Sequence, residues 1–127
     1  MAVASSNVAY PLNAGLTSGL CSGFVFQNSR ELKCLVNGIY ILNWSMSLTT
    51  DTNGDTIAGQ IMINNIENHT CEGSAYFQNN GRYQNVSGNT ILALKIDDII
   101  KLAVENETSV GDITVTHANL VLNKINN

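Results

Sequence analysis

Residues 38–48 read Gly-Ile-Tyr-Ile-Leu-Asn-Trp-Ser-Met-Ser-Leu, and this stretch decides the fold class of the chain. Its large side chains fall on even positions, at Tyr40, Leu42, Trp44, Met46 and Leu48, whereas positions 43, 45 and 47 carry Asn or Ser. Successive side chains of a β-strand point to opposite faces of the sheet. The alternation therefore predicts a strand with one buried face and one face in water.

Other short segments with strand character extend to the C-terminus. We predict strands at about residues 23–27, 31–36, 39–49, 56–64, 70–77, 90–96, 99–105 and 113–125. Turn-forming residues separate them, and we expect hairpins at Asp51–Asp55 and at Asp97–Asp98. In the last segment the apolar positions change from odd to even, which predicts a β-bulge near His117. Short strands with polar turns favour an all-β sandwich or jelly roll.

The composition limits the possible partners. The chain has 127 residues, enough for one domain, and only 13% of them are charged. Eighteen Asn residues, with Ser and Thr, supply the polar surface instead. A net charge of −4 and six basic residues argue against nucleic acid as a partner. Since no apolar run reaches membrane-spanning length and the N-terminus does not resemble a signal peptide, we expect synthesis in the cytoplasm and no membrane partner.

The first 22 residues differ from the rest of the chain. They carry no charged side chain and show no alternation, so we predict an arm or irregular lead-in at 1–22, followed by the β domain at 23–127. Three leucines spaced four apart, Leu12, Leu16 and Leu20, would let this arm dock on a neighbouring surface and become ordered there.

Two strands carry apolar side chains on both faces, at residues 39–42 and 120–122. One face can fill the internal core, and burial against a second copy of the chain is the simplest cover for the other. The residues that we assign to the core or to such an interface are Tyr40, Leu42, Trp44, Leu120 and Leu122.

No residue pattern predicts catalysis, a cofactor or a metal site. His69 and His117 lie in no catalytic motif, and the Asp51–Asp55 segment lacks the later ligands of an EF-hand, so a turn is favoured over a calcium site. The spacing of Cys21, Cys34 and Cys71 fits small reduced fillers, although a bond between the last two remains open.

The aromatic residues admit two interpretations. Trp44 could stack on a sugar, but its place in the apolar row favours the core. Tyr76, Phe77 and Tyr83 flank a polar loop rich in Asn and form a possible recognition loop, with structural packing as the competing interpretation.

Several segments resemble the superfamily of tumour necrosis factor and the complement globular heads. Residues 38–42 are similar to its glycine-x-tyrosine-x-phenylalanine strand start, and residues 61–65 to its apolar strand that ends in an Asn-rich turn. Residues 92–102 resemble its leucine-rich strand and following turn, with Asp97 where glycine is usual, and residues 116–122 take the place of its closing strand. The resemblance covers roughly residues 31–125.

The resemblance implies a ten-stranded jelly roll that assembles as a homotrimer. Relatives without a signal peptide include bacteriophage virion proteins and bacterial spore-surface proteins. We therefore expect a non-enzymatic virion protein, a capsid decoration protein whose partners are its own copies and a major capsid or other virion protein. The alternatives are a receptor- or glycan-binding head of a tail fibre or adhesin, and an enzyme such as a cupin or lyase, for which the two separated histidines are too few.

Overall fold

The chain forms a sandwich of two β-sheets. In a computed structural model, which describes residues 1–13, 15–18 and 23–126, those residues contain ten strands and so confirm the prediction of a ten-stranded all-β fold. The strands are β1 (Ala9–Pro11), β2 (Leu16–Ser18), β3 (Phe24–Gln27), β4 (Glu31–Cys34), β5 (Gly38–Thr50), β6 (Asp55–Ile63), β7 (Ile66–Phe77), β8 (Gln84–Leu94), β9 (Ile99–Asn106) and β10 (Ile113–Asn126).

One sheet has six strands and the other has four. The six-stranded sheet has the order β3-β4-β9-β6-β7, with β1 also paired to β9. The four-stranded sheet has the order β2-β10-β5-β8, so the strand that contains residues 38–48 lies inside it, between β10 and β8. Both of these neighbours run antiparallel to β5.

The hydrophobic core lies between the sheets and is built from the alternating positions that the sequence predicts. Along β5 the even positions from 40 to 48 are at most 2% exposed, and on β10 Leu120 and Leu122 are fully buried. From the other sheet Ile57, Ile61 and Leu102 are also fully buried. The five residues assigned to the core or an interface, Tyr40, Leu42, Trp44, Leu120 and Leu122, thus lie inside a single chain.

Trp44 joins the two sheets. Its indole Nε1 donates a hydrogen bond of 2.9 Å to the carbonyl oxygen of Cys71 on β7. The ring lies where larger neighbours would not fit, because a Cβ atom at Gly59 would come within 2.5 Å of it, and one at Gly88 within 2.6 Å. With 2% of Trp44 exposed, no ring face is open to a sugar, so the stacking interpretation is wrong.

Two turns that we expected to close hairpins connect different sheets instead. The chain passes from β5 in one sheet to β6 in the other at residues 51–54, and from β8 to β9 at residues 95–98. Apolar alternation identifies a strand but not the sheet that it joins, so these expectations were wrong. A tight hairpin does connect β6 and β7, where Asn64 and Asn65 have φ of 53° and 64°.

The β-bulge expected in the last strand is confirmed. The pairing of β10 with β5 shifts between Val115 and His117, so one extra residue lies in β10 at that point. The shift lets Ile113 and Ala118, which have opposite parity, both turn into the core, where each is at most 2% exposed.

The described part of the N-terminal segment belongs to the sandwich. Val3, Leu12 and Leu16 are 3–5% exposed, β1 pairs with β9, and β2 adds a parallel strand beside β10. The expectation of an arm with free apolar anchors is therefore wrong for Leu12 and Leu16, whereas Leu20 lies outside the described residues. Three-residue strands are too short to show alternation, which is why the sequence pattern missed β1 and β2.

Truncation of Trp44 tests the central packing. We expect Trp44→Ala to lower the free energy of unfolding by about 3–5 kcal/mol, because it leaves a cavity between the sheets and an unpaired carbonyl at Cys71. Chemical denaturation measures this loss, and Tyr83→Ala, at an exposed aromatic, should change stability by less than about 0.5 kcal/mol. Equal stability of the two variants would contradict the packing described here.

Candidate interaction surface

The outer face of the four-stranded sheet carries an apolar patch, which we define as Ile39, Ile41, Ile91 and Val121. Ile41 is paired directly with Ile91 on β8, and Val121 pairs with Asn43, the next outward position along β5. Ile91 is 61% exposed and Ile39 is 38% exposed, while Ile41 and Val121 are half-buried. Ile39 and Ile41 are odd positions of β5, and Val121 is an odd position of β10. The apolar residues that the sequence places on both faces of these two strands therefore form an uncovered patch on the outer face.

The same face continues into a neutral polar groove of about 480 Å³. Its polar lining consists of Thr17, Ser45, Ser47, Asn85, Ser87, His117 and Asn119. None of the lining residues is Asp, Glu, Lys or Arg. The groove therefore offers hydrogen-bond donors and acceptors without a fixed charge.

The two histidines lie on different sheets. His117 is on β10 in the groove, whereas His69 is on β7, where its Nδ1 lies 3.2 Å from a carboxylate oxygen of Glu72. Since the groove lining contains no carboxylate, the described residues do not place a serine, a histidine and an acid together there.

The Asp51–Asp55 segment is bound into a buried polar network. Asp55 is 1% exposed, and its carboxylate accepts hydrogen bonds from Thr50 Oγ1 at 2.7 Å, Asn106 Nδ2 at 2.8 Å and Ser109 Oγ at 2.7 Å. Asp51 Oδ1 accepts a further bond of 2.9 Å from the backbone N–H of Asp112. These donors fasten the β5–β6 turn to the β9–β10 loop, which gives the acidic residues a structural role.

The predicted recognition loop is only partly exposed. Tyr76 and Tyr83 are 59% and 55% exposed, but Phe77 is fully buried in the core and therefore cannot contribute to recognition. The loop after β7 is held against the β5–β6 turn, because the backbone N–H of Asn80 donates to Asn53 Oδ1 at 2.6 Å. The two tyrosines thus lie near an ordered end of the sandwich.

Cys34 and Cys71 do not form the disulfide that the sequence left open. Cys34 and Cys71 are both buried and free, and Cys34 Sγ donates a hydrogen bond to the carbonyl oxygen of Val36 at 3.2 Å. Burial raises the pKa of the Cys71 thiol, which favours its protonated form. Cys21 lies outside the described residues.

Sequence reasoning missed several groove residues because it ended one predicted strand at residue 77 and began the next at residue 90, which left residues 78–89 without a strand. Strand β8 runs through these positions from Gln84 to Leu94 and carries Asn85 and Ser87 to the outer face. A Cβ at Gly88 would lie 2.1 Å from the carbonyl oxygen of Cys71, so the glycine serves the close packing of the sheets and not a change of chain direction. The available signal was Val86, a buried apolar residue between the polar Asn85 and Ser87.

The architecture is that of a jelly roll of the tumour-necrosis-factor type, and comparison with solved structures agrees. A crystal structure of murine APRIL at pH 5.0 superposes with a TM-score of 0.55 at 14% identity, covering 74% of this chain and 69% of that chain. Murine APRIL at pH 8.5 gives a TM-score of 0.54 at 14% identity and covers 79% and 72%.

Eiger TNF from S. frugiperda gives a TM-score of 0.60 at 15% identity, covering 80% of this chain and 68% of that chain. At such identities the likeness shows the fold alone. No family model matches the chain, and no curated protein matches it. Within the described ranges no helix is long and apolar enough to cross a membrane.

Removal of the buried carboxylate tests the polar network. We expect Asp55→Ala to lower the free energy of unfolding by roughly 2–4 kcal/mol, because each buried donor left unpaired costs about 1–3 kcal/mol. The matched control is Asp97→Asn, since Asp97 is exposed and has φ of 75°, a conformation that Asn tolerates well. Denaturant unfolding should separate the two variants, and a small effect of Asp55→Ala would exclude a structural role for the network.

Proposed function

We propose that this chain is a non-catalytic structural protein that assembles as a homotrimer through the outer face of its four-stranded sheet. The observation that carries the proposal is the apolar patch at Ile39, Ile41, Ile91 and Val121, which a single chain leaves uncovered. Burial of apolar surface gains about 25 cal/mol per Å², so contact between copies would stabilise this face.

The rest of the face is compatible with close contact between copies of the chain. The groove beside the patch is lined by uncharged polar groups, so copies that meet there bring no like charges together. Asn and Ser side chains can exchange hydrogen bonds across such an interface, as the polar part of protein interfaces commonly does. The three-fold arrangement comes from the resemblance to the tumour-necrosis-factor superfamily, together with the jelly-roll fold of its structural neighbours.

We assign the trimer to a virion, as a bacteriophage capsid decoration protein. The assignment rests on the resemblance to a superfamily that includes phage virion proteins, and a surface rich in Asn with only 13% charged residues in the chain is compatible with it. Because Leu12 and Leu16 are buried, the contact with a capsid or other virion protein must use an exposed surface outside the trimer interface. Mass spectrometry of gradient-purified particles should find the chain in stoichiometric amount, and its absence from them would refute the assignment.

A receptor- or glycan-binding head is the second candidate, and the exposed tyrosines favour it. Tyr76 and Tyr83 are exposed on either side of the loop that holds Asn80, which is hydrogen-bonded to Asn53, and aromatic faces together with amides suit sugar recognition. A glycan array probed with the protein and with Tyr83→Ala separates the candidates. Binding that depends on Tyr83 would favour the head over the decoration protein.

A charge in the apolar patch tests the assembly. The wild-type chain should scatter light as three times its mass of 13.7 kDa, and Ile91→Lys should give monomers, because each contact between copies would bury an unpaired ammonium group among apolar side chains. Ile91 is 61% exposed, so the single chain should still fold.

The matched control is Ile66→Lys on the other sheet, where the side chain is 71% exposed, and it should remain trimeric. Size-exclusion chromatography with light scattering at micromolar concentration gives the mass of each variant. A monomeric wild type would refute the trimer, and a trimeric Ile91→Lys would refute the choice of face.

A further inference from the structure

His117 has an uncharged environment on the face that we propose as the trimer interface. It lies on β10, opposite Ser47 of β5, and lines the groove of about 480 Å³. In the single chain its side chain is exposed. The ion pairs formed by the described residues include His69 but not His117, so no carboxylate is paired with this imidazole.

The four-stranded sheet offers no acid to such a histidine. Strands β2, β5, β8 and β10 contain no Asp or Glu, and Lys124 near the end of β10 is their only Lys or Arg. The charged residues of the adjoining turns, Asp51 after β5, Arg82 before β8 and Asp112 before β10, do not line the groove. No group that these strands direct toward His117 would therefore compensate a positive charge on it.

A contact large enough to hold a trimer together includes His117. The outward positions of β10 lead from Val121 in the apolar patch through Asn119 to His117, a distance of about 13 Å at roughly 3.3 Å per residue. A stable interface engages about 20–30 residues from each partner, far more than the members of the patch. The interface must therefore continue along the sheet into the groove, where the imidazole would lose its contact with water.

We propose that His117 is a pH switch for assembly, an inference that rests on the proposed trimer. Histidine is the side chain that gains a positive charge as the pH falls from about 8 to about 5. Burial of an unpaired charge is strongly unfavourable, so the trimer excludes the proton that the free chain takes up. Falling pH therefore favours the free chain, and rising pH favours the trimer.

The switch is steep because each trimer buries three copies of His117. Below the pH range in which histidine titrates, each pH unit weakens association by up to about tenfold per chain, so the dissociation constant of the trimer rises by up to about a thousandfold. His69 is the only other histidine of the chain, and it lies on the six-stranded sheet with its Nδ1 beside Glu72. It therefore has no part in the proposed contact and provides the matched control.

Light scattering of the full-length chain at micromolar concentration tests the switch. At about pH 7.5 the wild type should have three times the chain mass of 13.7 kDa, and at about pH 5.5 it should have the mass of one chain. The lower value stays above the pI near 4.9, so the chain keeps a net charge. Circular dichroism should show a folded chain at both values, and return to the higher pH should restore the trimer.

Three variants separate the charge of His117 from its packing. His117→Gln keeps a polar side chain that cannot gain a charge, so it should be trimeric at both pH values. His117→Lys is charged throughout, so it should be monomeric at both. The control His69→Gln should dissociate at the lower pH as the wild type does. Since the His117 side chain is exposed in the single chain, its variants should fold.

The outcomes distinguish the switch from the trimer itself. A wild type that is trimeric at both pH values, or a His117→Gln trimer that dissociates at the lower one, would overturn the switch and leave the trimer standing. A trimeric His117→Lys would do the same, because the position would then tolerate a charge. Unfolding of the wild type at the lower pH, in place of a folded monomer, would also overturn the switch. A wild type that is monomeric at the higher pH would refute the proposed trimer and this inference with it.

Discussion

The indole of Trp44 is the contact on which the spacing of the two sheets depends. It extends from β5 to the carbonyl of Cys71 on β7 and lies against Gly59 of β6 and Gly88 of β8. Both glycines lack the Cβ that would push the ring away, so a large residue on one strand requires the smallest residue on two others. This complementarity brings β7 and β8 close together, although they belong to different sheets.

Polar contacts and backbone conformation hold the turns at which the chain passes from one sheet to the other. Each of these turns must reverse the direction of the chain and also carry it across the edge of the hydrophobic core to the other sheet. At the β5–β6 crossing this is achieved by the buried Asp55 network, whose donors come from β5, from the end of β9 and from the loop beyond it. At the β8–β9 crossing Asp97 adopts φ of 75°, the left-handed conformation for which the resembled superfamily uses glycine.

Sequence reasoning found what depends on local pattern and missed what depends on pairing. The long alternation at residues 38–48 identified β5 and its buried face, and the parity change at His117 located the bulge in β10. Contacts between residues distant in sequence determine the features that the local pattern missed. These features are the sheet to which each strand belongs, the burial of Leu12 and Leu16, and the continuity of β8 through Gly88. The candidate patch was foreseeable because residues 39–42 are apolar on both faces, whereas Glu72 comes near Glu105 and Glu107 only because β7 and β9 flank β6 in the sheet.

The two outer faces of the sandwich differ in the kind of side chain that they expose to solvent. The four-stranded sheet exposes apolar and uncharged side chains, for which water is a poor solvent and a copy of the same surface is a good partner. The six-stranded sheet instead groups the carboxylates of Glu72, Glu105 and Glu107, and burial together with repulsion from neighbouring carboxylates raises the pKa of Glu105. Because a neutral face tolerates contact with itself and an acidic one resists it, this asymmetry would direct self-association to the four-stranded sheet and leave the acidic face toward solvent.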